Sequence, residues 1–225
     1  MKNKLLITAA LFVSSCFLLS CDNTSSNTTQ NEMDTTISHI PHDDSMSSDK
    51  MQMNNGMMQS MTGTMGKMND IKMTGHFDLD FANMMILHHQ AAINMSEIEV
   101  AKGTDAQMKT MAQNIITSQK AEIEQLQRFI KTYKMPEVKK MKEEMHNELG
   151  ETMKAMMDKM NGMEMKGSTD KDFAMMMIAH HESAVKMAED ELSHGKQYEI
   201  KKMAQQMIAD QSKEIADFKA WLNQK

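Results

Sequence analysis

The stretch Asp80–Met95, DFANMMILHHQAAINM, returns as Asp172–Met187, DFAMMMIAHHESAVKM. The offset is 180 − 88 = 92 residues, and it holds without a gap well beyond the histidine doublets. Gly103 falls on Gly195, Met111-Ala112 on Met203-Ala204, Gln119 on Gln211, Glu122-Ile123 on Glu214-Ile215, and Phe129 on Trp221. Upstream, Met61 falls on Met153, Met65 on Met157, and Lys67-Met68-Asn69 on Lys159-Met160-Asn161. The repeat unit therefore runs from about 61 to 131 and again from 153 to 225. Two long copies indicate a duplicated half-domain, since solenoids stack three or more short units.

The period inside each copy is helical. Phe81, Met84, His88, Ala91, Met95 and Ile98 follow the three-four spacing of a buried seam, with Met85 and His89 beside it. A helix is expected from Asp78 or Asp80, as cap or first-turn acid, to Lys102, where Gly103 stops it; its copy runs from Asp170 or Asp172 to His194 and Gly195. Second long helices are expected over 105–133 and 197–222, the first carrying the apolar stripe Met108, Met111, Ile115, Ile116, Ile123, Leu126 and Ile130. Ala91, Ala92, Ser183 and Ala184 leave room for close helix approach. No segment alternates like a strand, so the expected fold is all-α, two antiparallel hairpins making a four-helix bundle.

Methionine-rich connecting helices should precede each hairpin. Met57, Met58, Met61, Met65 and Met68 share one helical face, although Gly63 and Gly66 weaken that helix. The counterpart, Met153, Met156, Met157 and Met160, contains no glycine and ends before Gly162 and Gly167. Pro136 closes the first unit, and the charged 137–150 stretch reads as a helical connection.

The N-terminus has a different character. Lys2 and Lys4 precede an apolar run, Leu5 to Leu19, that ends in Leu18-Leu19-Ser20-Cys21. A basic start with a short apolar core reads as a secretory signal over 1–20, too short for a confident membrane span. The final tetrapeptide resembles a lipobox, making Cys21 the expected lipidation site; Cys16 fits less well. An exported protein anchored by lipid on the periplasmic or cell-surface side of a bacterial membrane is expected. Residues 21–60, rich in Ser, Thr, Asn and Met, lack the apolar content to offset chain entropy and read as a flexible tether. His39, His42, Met46, Met51 and Met53 within it fit plain linker and metal-collecting arm equally well.

Composition then narrows the chemistry. The chain has 31 methionines, two cysteines and a formal charge of −6, which argues weakly against nucleic acid as a partner. Both cysteines lie in the N-terminal segment, leaving the bundle without a disulfide, a thiolate metal site or a blue-copper ligand. A di-iron bundle needs paired Glu-x-x-His motifs, and Glu143-Glu-Met-His146 stands alone. His-Glu-x-x-His zinc and nucleophile motifs are missing, so nothing points to an enzyme.

Four histidines on one seam need partners, and thioethers accept hydrogen bonds poorly. Imidazole and thioether together suit copper, above all Cu(I), with Ag(I) as its surrogate. The candidate ligands are His88, His89, His180 and His181 with Met84, Met85, Met95, Met176, Met177 and Met187. The competing reading is a non-metal helical interaction module whose methionine faces grip partner proteins.

Asp78, Phe81, Met84, His88, His89, Ala92 and Met95, and again Asp170, Phe173, Met176, His180, His181, Ala184, Met187 and Ala188, carry a further signal. In them the chain resembles the ferritin-like, methionine-rich copper-binding family that includes the periplasmic protein CopM. The first copy departs only in placing Ser96 where the pattern has alanine. The resemblance implies a four-helix bundle that handles copper outside the cytoplasm, buffering it, sequestering it or passing it to copper-efflux or copper-transfer proteins.

Overall fold

Helix α2, Phe77–Lys102, is apolar almost all round, and that composition puts it in the middle of the molecule. Its repeat partner α5, Thr169–His194, takes the equivalent place, and the two central helices pack on each other. Each turns back as an antiparallel hairpin, α2 with α3 (Ala106–Thr132) and α5 with α6 (Tyr198–Leu222). Two further helices, α1 (Ser45–Asn69) and α4 (Glu143–Asn161), lie mainly along α2 and α5 respectively. This computed structural model describes residues 45–135, 143–165 and 167–225, with side chains from 56 in the first stretch and from 148 in the second. The described residues contain no strand, and the fold is all-α. The signal segment, Cys16, Cys21, His39, His42 and Pro136 lie outside the described residues.

Amphipathic α3 shows why the hairpins form. Met108, Ala112, Ile115, Ile116, Leu126 and Phe129 are buried along one face, while lysines and glutamates keep the other in water. Ala91, Ala92 and Ala184 are fully buried, the close packing their small side chains permit.

One expectation needs correcting. The tether was drawn to residue 60, yet α1 begins at Ser45. Met57, Met61, Met65 and Met68 all face the core, and their burial outweighs the helix-weakening glycines. Gly63 and Gly66 sit on the outer side with open space around them. Of the two roles expected for Asp78 and Asp170, cap or first-turn acid, the structure shows the second. The N-cap residues are His76 and Ser168, neither with a side-chain cap, so the aspartates are first-turn acids.

Their carboxylates cap the opposite hairpin instead. Asp78 Oδ1 accepts from the backbone N–H of Lys196 at 2.8 Å and Gln197 at 2.7 Å, at the start of α6. Asp170 Oδ1 accepts from Thr104 N at 2.9 Å and Asp105 N at 2.8 Å, at the start of α3, and Oδ2 takes the Thr104 hydroxyl at 2.7 Å. This reciprocity is that of a two-fold dimer interface written into one chain.

Gly103 and Gly195 end their helices as expected, but for space and not for a left-handed turn. Their φ angles are −61° and −63°, open to any residue. A Cβ there would stand 2.0 Å from Glu99 Oε1 and 1.9 Å from Glu191 Oε1. Both glutamates are buried, Glu99 beside the carboxylate of Asp170 and Glu191 beside that of Asp78. Burial first, then the adjoining aspartate, pushes Glu99 up to about 8 and Glu191 up to about 9. Glu99 and Glu191 therefore hold their protons at neutral pH.

Candidate metal centre

The histidine doublets occupy the place where α2 and α5 cross. His88 and His180 lie face to face, ring centroids 3.7 Å apart and planes tilted by 37°. His89 flanks His88 at 6.5 Å, and His181 flanks His180 at 6.0 Å. All four imidazoles are withdrawn from solvent, and none of their eight ring nitrogens has an aligned hydrogen-bond partner.

Burial holds His88 well below the ordinary imidazole range, helped by the charges that His89 and His181 would carry. Burial does the same to His180, with His88, His181 and His89 adding to it. These two rings are therefore neutral at physiological pH, each with a lone pair to donate. Buried polar groups in native proteins are almost always satisfied, so eight orphan nitrogens in one spot call for a partner.

Two carboxylates reach the cluster from the outer helices. Glu122 Oε2 of α3 stands 2.7 Å from His89 Nε2, and Glu214 Oε2 of α6 stands 2.7 Å from His181 Nε2. In both pairs the oxygen lies out of line with the ring N–H, so the contact is electrostatic in character. One turn earlier, Gln119 and Gln211 are each 2% exposed, with both amide atoms unpaired. The charged outer faces of α3 and α6 hide these four residues from sequence reasoning. The signal that could have found them is the repeat, which keeps glutamine and glutamate at the same places in both halves.

The expected thioethers share this core. Met84, Met85, Met95, Met176, Met177 and Met187 are all buried in the cluster that encloses the histidines. Met84 and Met85 precede His88 and His89 by one turn, on the same helical faces. Among the described residues, no three His, Cys, Asp or Glu side chains converge as a metal cluster of their own. A coordination shell here would draw on methionine sulfur as well as imidazole nitrogen, a donor set for a soft or borderline ion and not for Mg or Ca.

Comparison with known proteins places this architecture. The structure of CopM in the Cu(II)-bound form is 30% identical, covers 65% of this chain and 96% of its own, and superposes with a TM-score of 0.50. CopM in the apo form is 28% identical over 65% of this chain and 96% of its own, with a TM-score of 0.50. A DUF305 fragment from Deinococcus radiodurans, 20% identical over 66% of this chain and 97% of its own, shares the fold with a TM-score of 0.50. No curated protein matches. The family described as "Domain of unknown function (DUF305)" matches residues 23–130 and 78–222, and the chain belongs to that family.

Proposed function

We propose that this protein binds copper, as Cu(I) with Ag(I) as surrogate, and buffers, sequesters or hands it on. The observation that carries the reading is the set of eight buried ring nitrogens without aligned hydrogen-bond partners in a methionine-packed core. His88, His89, His180 and His181 would supply nitrogen, and Met84, Met85, Met95, Met176, Met177 and Met187 are the sulfur candidates. The similarity to CopM, solved in a Cu(II)-bound form, supports the same metal. A thioether has no proton to lose, so sulfur bonds persist in acid where imidazole bonds weaken.

The competing interaction module draws less support. Its gripping face would need exposed methionines, whereas Met135 and Tyr198 are the exposed large hydrophobics among the described side chains.

The proposal extends to location. The basic start, the apolar run and Leu18-Leu19-Ser20-Cys21 support export and lipidation at Cys21, on the periplasmic or cell-surface side of a membrane. No helix among the described residues is long and apolar enough to cross a membrane. Copper-efflux or copper-transfer proteins are the partners this role implies.

The test is a Cu(I) titration of the full chain against a competing chelator. Wild type should hold copper more tightly than Zn(II), and replacing all four histidines by alanine should abolish the tightest-held copper. Copper affinity untouched by that replacement would exclude the centre.

A further inference from the structure

At one edge of the same core a group of thioethers borders open space. Where α1 ends and the chain returns to α2, the first described turns of α4 come alongside. Met68, Met73, Met84 and Met153 line one surface-opening cavity of about 440 Å³, with Ile71 and Glu151 at its margin. Met68, Met84 and Met153 are almost wholly buried and Met73 is half-buried. Methionine in a core normally fills the gaps around it; here four of them border open space.

The rim and the repeat add two independent points. Exposed Glu151 and Lys154 both stand at the rim, Lys154 paired with Asp158 at 2.5 Å. The Met153 sulfur accepts from Ser183 Oγ at 3.6 Å, which fixes its place against α5. In the other half, Met68, Met73 and Met84 correspond to Met160, Met165 and Met176, and Met153 corresponds to Met61. A wall that needed only bulk would accept leucine at such positions, yet every one is methionine.

We propose that this cavity is a separate capture site for a soft monovalent cation, and that Met84 passes the ion inward. Met84 lines the cavity and stands one helical turn before His88 on the same face, so it borders both environments. Transfer is ligand exchange at constant oxidation state: a sulfur–metal bond at the cavity breaks as a nitrogen–metal bond at the imidazole forms. Neutral thioethers bind without releasing a proton, so capture is independent of pH where imidazole binding is not. The inward step rests on the copper reading above; the capture step does not.

The experiment uses Ag(I), which undergoes no redox change, with the full chain. Binding is read by native mass spectrometry and by the methyl resonances of methionine. In wild type, Ag(I) should shift the methyl signals of Met68, Met73, Met84 and Met153. M68L/M73L, which keeps bulk and removes two sulfurs, should weaken one equivalent about tenfold or more and slow filling of the histidine centre. The four-histidine alanine variant should retain that equivalent, with the same methyl shifts. If wild type shows no shift at these four methyls, or M68L/M73L binds and fills like wild type, the capture site is overturned. Failure of the histidine reading looks different: the four-histidine variant would then lose nothing while M68L/M73L still loses its equivalent.

Discussion

His88 and His180 stack across the centre of the bundle with ring centroids 3.7 Å apart, so neither doublet has an environment of its own. Ligands drawn from both hairpins would clamp them together, and an ion bound only by the folded form stabilises that form by mass action. Replacing His88 and His89 by alanine should therefore weaken copper held by His180 and His181 as well, beyond losing half the capacity. Copper affinity and thermal stabilisation of both double mutants and the quadruple mutant decide the matter. Strict additivity would show two independent sites.

Glu122 and Glu214 test the outer part of the centre. A carboxylate beside a metal-bound imidazole orients the ring and raises its basicity, and removing one commonly lowers affinity about 10–100-fold. Glu122→Gln with Glu214→Gln should weaken Cu(I) by that order while leaving the helical circular dichroism spectrum unchanged. Equal affinity would reduce the two contacts to simple packing.

The metal-free protein should show a stability plateau with a fall on either side. Glu99 and Glu191 hold protons in the fold up to about 8 and about 9, against 4.5 in the unfolded chain, so their contribution disappears as pH rises through the folded values. His88 and His180 refuse protons that the unfolded chain takes up below 6.5, so stability falls as pH drops through that value. Between 4.5 and 6.5 the two slopes oppose, and the melting temperature should be nearly flat. Above 6.5 the glutamates act alone and it should decline; below 4.5 the histidines dominate, with Asp105, Asp170 and Glu182, held below their ordinary values, adding to the loss. Glu191→Gln should flatten the alkaline limb, and an unchanged limb would refute a protonated, buried Glu191.

The glycines separate two effects of one substitution. Gly63→Ala, in open space on helix α1, should stabilise by about 0.5–1 kcal/mol through helix propensity. Gly195→Ala puts a methyl 1.9 Å from Glu191 Oε1 and should destabilise by about 1–3 kcal/mol, although its φ suits alanine. Thermal melts of the two variants should move in opposite directions.

The parts of this fold that were legible in the sequence are those written in local periodicity and in the repeat. The boundaries of α2, α3, α5 and α6 fall within a residue or two of the expected ones, and the doublets do meet the core. What escaped reading was non-local. Asp78 reads in the sequence only as an acid of its own helix's first turn, because the loop it caps, at Lys196 and Gln197, lies 118 and 119 positions away. Glu122 looked like one more solvated acid until packing brought it to His89. The glycine-containing part of α1 was under-read because residue preferences disfavour a helix that the burial of Met57, Met61, Met65 and Met68 sustains.

The exchange of caps between Asp78 and Asp170 has a consequence for the ancestry of the chain. A protein of one repeat would carry an aspartate with no loop to hold and a loop with no aspartate. Two such molecules would satisfy each other, so the single-repeat form should assemble as a homodimer. Joining two repeats in one chain makes that encounter intramolecular, so the capped loops no longer depend on two molecules finding each other.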